Sequence, residues 1–312
     1  MRGFILAAGF GTRLRPITLN IPKALVPLAG KPLLWHALEF LYKNGISTVG
    51  VNAHYLCEQM DAYRSNAEQK FEVFKELPEI RGTGGALHFA RSFLAHDETA
   101  IVINVDIIGR FDLAGQIRQF EASSEMCRLL AWRNSSMTGT IVYDPVNNRY
   151  VGAANEISQP EKYATADFIG MALYRRDFLS LPEEDDFSIL PVWQRAIDRG
   201  MEVSVGLVEQ GYWRDIGNPY ALAHAHFDVI DGRLDINPPS FMTIDRLRRC
   251  CVPKSWCDEQ KTGLGCYCWI EDQSFIPCGK IEHSVVFSSP VGPRADMHNI
   301  ISTMWGEIPF DE

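Results

Sequence analysis

Four charged side chains sit beside chain punctuation that suits phosphate chemistry: Arg13, Lys23, Asp106 and Asp215. Arg13 lies in Gly9-Phe10-Gly11-Thr12-Arg13-Leu14-Arg15-Pro16-Ile17-Thr18, directly after an apolar run from Phe4 to Ala8, and Lys23 opens the nearby Pro22-Lys23-Ala24-Leu25-Val26-Pro27. Glycines behind a strand let the backbone come close to a triphosphate with its amides turned to the oxygens. The loop is neither G-x-x-x-x-G-K-[ST] nor a full G-x-G-x-x-G. An ordinary strand-to-helix turn would account for the glycines but not for the Arg and the Lys. Asp106 ends the apolar stretch Asn104-Val105-Asp106, and a carboxylate at the carboxyl end of a strand is well placed to ligate magnesium together with several waters. Asp215, in Tyr212-Trp213-Arg214-Asp215-Ile216-Gly217-Asn218-Pro219, read by itself could be a structural, helix-capping acid.

The surrounding pattern says what must hold these residues. Phe4 to Ala8 reads as a strand feeding the glycine loop. Pro32 then opens a helix with Leu34, Ala37, Leu38 and Leu41 at helical spacing, closed by Asn44-Gly45. Strands follow from Ile46 to Val51, Phe71 to Phe74 and Ala100 to Val105, with a helical face of Leu87, Ala90 and Leu94 before the last of them. This alternation predicts an α/β, Rossmann-like, mostly parallel sheet flanked by helices, with ligands at the carboxyl ends of the strands. From about Arg128 to Tyr174 short strand-like runs (Ile141 to Tyr143, Tyr150 to Ala153, Phe168 to Tyr174) suggest a second lobe inserted in or packed on that sheet. Leu190 to Ile197 and Pro219 to Ile230 read as helices, and Val203 to Leu207 as a strand.

The proline-rich stretch at Asn237-Pro238-Pro239 divides the chain into 1–237, the catalytic domain, and 238–312, a cysteine-rich segment. In the latter Ile270, Ile276, Ile281, Val285, Val291 and Ile300, with the turn at 291–295, form a weak hexapeptide repeat of partial left-handed β-helix character, one or two coils long. So few coils need support from the main domain or another subunit, which leaves a homo-oligomer through this segment open. Six of the eight cysteines fall between Cys250 and Cys278 without paired C-x-x-C spacing, so thiols are expected there rather than a zinc site.

Together the motifs resemble the NDP-sugar pyrophosphorylases, or sugar-1-phosphate nucleotidylyltransferases, whose signature G-x-G-T-R-x-x-P-x-T followed by P-K is fully matched. The resemblance covers residues 1 to about 230 and lies closest to the subgroup acting on mannose 1-phosphate or N-acetylmuramate 1-phosphate, which also carries the run Asn52-Ala53-His54-Tyr55-Leu56. It implies an enzyme that transfers a nucleotidyl group from an NTP to a sugar 1-phosphate with Mg²⁺. Arg13 and Lys23 would be catalytic, at the phosphates where the bond is made and broken. Leu6, Ala8, Gly9, Gly11, Thr12, Glu76, Gly82, Thr83 and Gly84 would bind the nucleotide, the Gly82-Thr83-Gly84-Gly85 segment lining the base where a bland reading makes it a helix cap. Asn104, Gly139, Lys162 and Gly170 would contact the sugar, and Asp106 and Asp215 the metal. Two departures stand out: Val105 replaces the glycine of N-G-D and is expected to narrow the room beside the sugar, and Glu161-Lys162 lacks the proline of E-K-P. His54 is expected to be structural, because a phosphate oxygen is already anionic at neutral pH and needs no base.

Size and charge fit this reading. A chain of 312 residues, 46% hydrophobic and 22% charged, has the composition of an ordinary folded protein with a large core. A net charge of −9 disfavours nucleic acid and acidic lipid, so an anionic ligand must be captured by a few placed cations. With no apolar run of about eighteen residues and no leader pattern, the expected location is cytoplasmic, without membrane contact. A non-catalytic NDP-sugar-binding regulator is the rival reading. A nicotinamide oxidoreductase would need an acidic residue about twenty positions after the loop, where this chain has Ala24 to Pro32 without any acid, and an acyltransferase fails on the length of the repeat.

Overall fold

The computed structural model describes residues 1–133, 139–155, 162–288 and 296–310, so Glu161 and the 291–295 turn lie outside the described residues. The chain forms two compact units that do not follow its linear order. Residues 1–9 and 34–213 make the first, and residues 10–33 and 214–312 the second. The stretch read as one catalytic domain therefore contributes to both.

The first unit is built on a nine-stranded mixed sheet. Its parallel part runs Glu72–Lys75, Val49–Ala53, Arg2–Leu6, Thr99–Asn104. Val49–Ala53 and Thr99–Asn104 are buried along nearly their whole length, as expected where both faces are covered, whereas the edge strand Glu72–Lys75 has charged, exposed ends. The long strand Ala164–Arg175 then pairs antiparallel with Thr99–Asn104, Cys127–Trp132 and Ile141–Tyr143. The expected second lobe is thus an extension of the first sheet. Phe4, Val102, Leu129, Ala172, Val205 and Trp193 belong to one buried cluster that joins the parallel and antiparallel parts. The Leu33–Lys43 helix ends at Gly45 in the left-handed conformation (φ 82°), as its sequence predicts.

In the second unit the helix Pro219–Ile230 starts at Asn218, whose side chain accepts the Ala221 amide at 2.8 Å, with proline at its first position. It is apolar nearly all round and buried along most of its length. Beside it four parallel strands stack, Cys250–Pro253, Cys268–Ile270, Ser284–Val286 and Ile300–Thr303, with Cys251, Trp269, Val285 and Ile301 in register. A second face pairs Ile281–Glu282 with Met297–His298. Antiparallel strands at Met242–Asp245 and Gly306–Pro309 cover the two edges that such a stack would leave open. The stack is longer than the one or two coils the aliphatic spacing indicated. The reason is that Cys250, Cys251, Cys268 and Trp269, all fully buried, occupy positions on the two faces of these strands that a search for Ile and Val misses. Burial pushes the Cys250 thiol up to about 11 and raises Cys251 and Cys268 as well, which keeps them protonated and poor metal ligands. Cys268 Sγ donates to the Ile281 carbonyl at 3.0 Å. No group of three or more His, Cys, Asp or Glu side chains among the described residues could hold a metal ion. No helix among them is long and apolar enough to cross a membrane.

Candidate active site

In the second unit the signature loop is shaped by Gly11 and met by Gly217. Gly11 is left-handed (φ 62°) ahead of the short turn Thr12–Leu14, and a β-carbon on it would lie 2.9 Å from Thr18 Cγ2 and 3.0 Å from Lys23 Cβ. The Thr18 hydroxyl donates to the Gly11 carbonyl at 2.8 Å. The loop thus closes on itself and brings Lys23, first residue of the turn Lys23–Leu25, against its own glycine. A β-carbon on Gly217 would come within 2.5 Å of Arg13 Nη2 and 2.9 Å of Asp215 Oδ1. The guanidinium and the carboxylate therefore flank one point, although 202 positions separate them in sequence (215 − 13). Gly217 marks this meeting, and the sequence reading passed over it within its own motif. Thr12, Arg13 and Asp215 are exposed, and Lys23 is half-buried.

In the first unit a hydrogen-bond relay fixes the chain around the nucleotide-loop strand. The Ala7 amide donates to Asn52 Oδ1 at 2.5 Å, Asn52 Nδ2 donates to Glu76 Oε1 at 2.7 Å, and Glu76 Oε2 accepts the Arg81 amide at 2.8 Å. Glu76 is wholly buried. Its carboxylate faces inward and positions the chain that enters Gly82, where the resemblance gave it a direct nucleotide contact. His54 Nδ1 lies 2.7 Å from the Glu76 carbonyl, at the same junction. Gly82, left-handed at φ 69°, packs on the Phe187 carbonyl, and a β-carbon on Gly84 would sit 2.5 Å from the Asp186 carbonyl. The Thr83 and Gly85 amides donate to Phe187 and Asp186 carbonyls at 2.8 and 2.6 Å. Close backbone packing against residues 186–187 thus requires these glycines. That partner is just over a hundred residues away and invisible to local pattern. Asp186 is itself clamped by both terminal nitrogens of Arg195, at 2.8 and 2.9 Å, which holds its carboxyl below the ordinary value of 3.8.

Leu6, Thr83, Asn104 and Gly170 line one pocket, walled by Phe168 and Trp193. Gly170 is left-handed (φ 71°), and a β-carbon there would come 2.9 Å from Asn104 Nδ2. The structure thus joins nucleotide-side and sugar-side expectations in a single hollow. Phe168 and Trp193, whose indole N–H donates to Tyr174 Oη at 3.2 Å, are lining residues the sequence reading missed. Val105 behaves differently from expectation. Val105 lies in the turn between the strands Thr99–Asn104 and Ile107–Arg110, is 3% exposed and does not belong to the lining of this hollow. Gly139 (φ 66°) packs on Thr165 away from this lining, Lys162 is exposed just before the Ala164–Arg175 strand, Ala8 is buried and Gly9 exposed with open space at its α-carbon.

The sequence pattern of the nucleotidyl transferase family matches residues 2–232, about three quarters of the chain. The chain belongs to that family. As a nucleotidyl transferase it is 28% identical over 230 residues to the N-acetylmuramate alpha-1-phosphate uridylyltransferase of Caulobacter vibrioides, covering 70% of this chain and 92% of that protein. It is 30% identical over 228 residues to the catalytic subunit beta of mannose-1-phosphate guanylyltransferase from Danio rerio, of which it spans 62%. Among solved structures, the inositol-1-phosphate CTP transferase from T. maritima superposes with a TM-score of 0.59 at 21% identity over 70% of this chain and 89% of that one, a likeness of fold.

Within this nucleotidyl transferase the candidate residues fall in both units. Arg13, Lys23 and Asp215 belong to the second, while Asn104, Gly170, Thr83 and the half-buried Asp106 belong to the first. Asp106 and Asp215 offer hard oxygen donors. Magnesium commonly takes only one or two protein carboxylates and completes its shell with water and substrate phosphate, so the donor chemistry of either carboxylate fits that ion.

Proposed function

We propose that the protein transfers a nucleotidyl group from an NTP to a sugar 1-phosphate, releasing pyrophosphate. The observation that carries this reading is the meeting, at Gly217, of Asp215 with Arg13, which stands on the loop that also presents Lys23. Guanidinium, ammonium and carboxylate on one loop system are what a reaction between two phosphates asks for. A sugar-phosphate oxygen forms a bond to the α-phosphorus as the bond from that phosphorus to the bridging oxygen breaks, and the electron pair leaves with pyrophosphate. The attacking oxygen is already anionic, so no proton has to move. Arg13 and Lys23 disperse charge on the attacking and leaving groups. Asp106 and Asp215 are the residues that would hold Mg²⁺, which when bound supplies charge neutralisation at the α-phosphate.

The hollow lined by Thr83, Asn104 and Gly170 is assigned to the base and sugar side, and Gly9 with Gly11 to the triphosphate. The named relatives support the substrate class, and they differ in base and sugar. Pyrophosphate release, measured over UTP, GTP, CTP and TTP against mannose, glucose and N-acetylmuramate 1-phosphates with and without magnesium, tests the reading. Turnover with at least one pair, dependent on the metal and lost in Asp106→Asn, is expected. Absence of turnover with every pair, or an unaffected Asp106→Asn, would overturn it.

A further inference from the structure

The helix Pro219–Ile230 and the corners of the stacked strands enclose a hollow of about 300 Å³ within the second unit. Tyr220, His224 and Phe227 face it from the helix, Tyr267 and His283 from successive corners, and Phe310 from the last strand's end. Their rings contact one another at centroid separations from 4.0 Å (Tyr220–His224) to 6.5 Å (Phe227–Phe310), with Phe227–Tyr267 at 5.2 Å and Tyr267–His283 at 5.4 Å. A wall of this kind presents π faces and edges to whatever enters. Tyr267, His283 and Asn299 are all left-handed (φ 59°, 47° and 54°), so the repeated corner fixes the directions of three lining side chains in register. His283 Nδ1 is buried and has no hydrogen-bond partner among the described residues, and Asn299 adds an amide at the rim.

Charge narrows the ligand class. Arg214 Nη2 lies 2.6 Å from Asp228 Oδ2, Arg233 Nη2 lies 2.9 Å from both Asp228 Oδ1 and Asp231 Oδ2, and Arg249 Nε lies 3.7 Å from Asp231 Oδ1. Three guanidiniums against two carboxylates leave one net positive charge, on the side of the hollow where Arg233 is 58% exposed. A cationic guest, which an aromatic cage could otherwise take, is disfavoured there, and an anionic group is favoured. A flat ring with hydrogen-bonding edges and an attached phosphate satisfies every group on the wall. We propose that this hollow binds a nucleotide: the base against the Tyr220, His224 and Tyr267 rings, its edge at Asn299 and His283, and the phosphate at Arg233. It is a site additional to the triphosphate loop and does not depend on what reaction that loop performs.

Calorimetric titration with AMP, GMP, UMP and CMP, and separately with ribose 5-phosphate and inorganic phosphate, tests this on the full chain and on an Arg13→Ala/Lys23→Ala variant. At least one mononucleotide is expected to bind both proteins with affinities within threefold, and at least tenfold more tightly than ribose 5-phosphate. Tyr220→Ala, a substitution that helices accept readily, should weaken binding at least tenfold, the effect of losing one stacking partner. Asn299→Gly keeps the left-handed corner and should change the ranking among bases. Binding abolished in the Arg13→Ala/Lys23→Ala variant would place the ligand at the loop and overturn the proposal. Equal affinity for phosphate alone, or full affinity in both Tyr220→Ala and His224→Ala with unchanged melting temperatures, would overturn it too.

Discussion

The two units hold their candidate residues by different means. In the first, Thr83, Asn104 and Gly170 are fixed by backbone: amides of 83 and 85 on the 186–187 carbonyls, a glycine at positive φ against an asparagine, and a buried carboxylate bridging Asn52 to Arg81. In the second, Arg13, Lys23 and Asp215 stand on short turns and a strand end, with charge brought together because Gly11 and Gly217 have no side chain. The first arrangement resists deformation and suits recognition by shape. The second leaves polar ends of long side chains near water and suits the handling of charge that changes during a reaction. Damage to the first should therefore appear as lost stability or affinity, and damage to the second as lost rate.

The largest expected effect is that of Arg13→Ala, which removes charge dispersal from the proposed reaction and should lower kcat by about 10²–10³, with a melting temperature within a few degrees of the wild type. A fall in stability with kcat intact would dissolve the contrast. Gly217→Ala comes next. The added methyl would meet Arg13 Nη2 and Asp215 Oδ1, ends of flexible side chains that can yield. The fold should survive while misplacement of about 1 Å costs up to ~10² in kcat, read by steady-state kinetics beside a thermal melt.

Asp186→Asn probes the opposite behaviour. Losing charge-assisted bonds to Arg195 should cost about 2 kcal/mol at neutral pH, measured by denaturant unfolding, with kcat little changed. The folded carboxyl is held below 3.8, so its contribution is complete above that value and disappears as pH falls through the lowered folded value. The gap between wild type and variant should close in acid, and a gap constant with pH would argue against the ion pair as its source. The smallest effect concerns choice of sugar. Val105→Gly deletes a buried side chain that is not part of the pocket lining, so it should lower stability without altering relative kcat/KM among sugar 1-phosphates. A changed ranking would show that Val105 reaches the sugar after all.

What the sequence determined by itself were features encoded within a few consecutive residues. Spacing alone located the Pro219–Ile230 helix to the residue, and the order of glycines and charges from Gly9 to Lys23 was enough to indicate the family that the match over residues 2–232 shows. Tertiary structure decided everything that depends on a distant partner. Glu76 turns inward because Asn52 and the Arg81 amide meet it there, and Gly84 must be glycine because a carbonyl a hundred residues later presses on it. Val105 is buried by packing in the turn after its strand, and the stacked coils were masked because cysteine and tryptophan fill positions where aliphatic residues advertise a repeat. Local conformational preference and charge are properties of short segments and can be read from them, whereas burial, close approach and facing are properties of pairs that only the folded chain brings together.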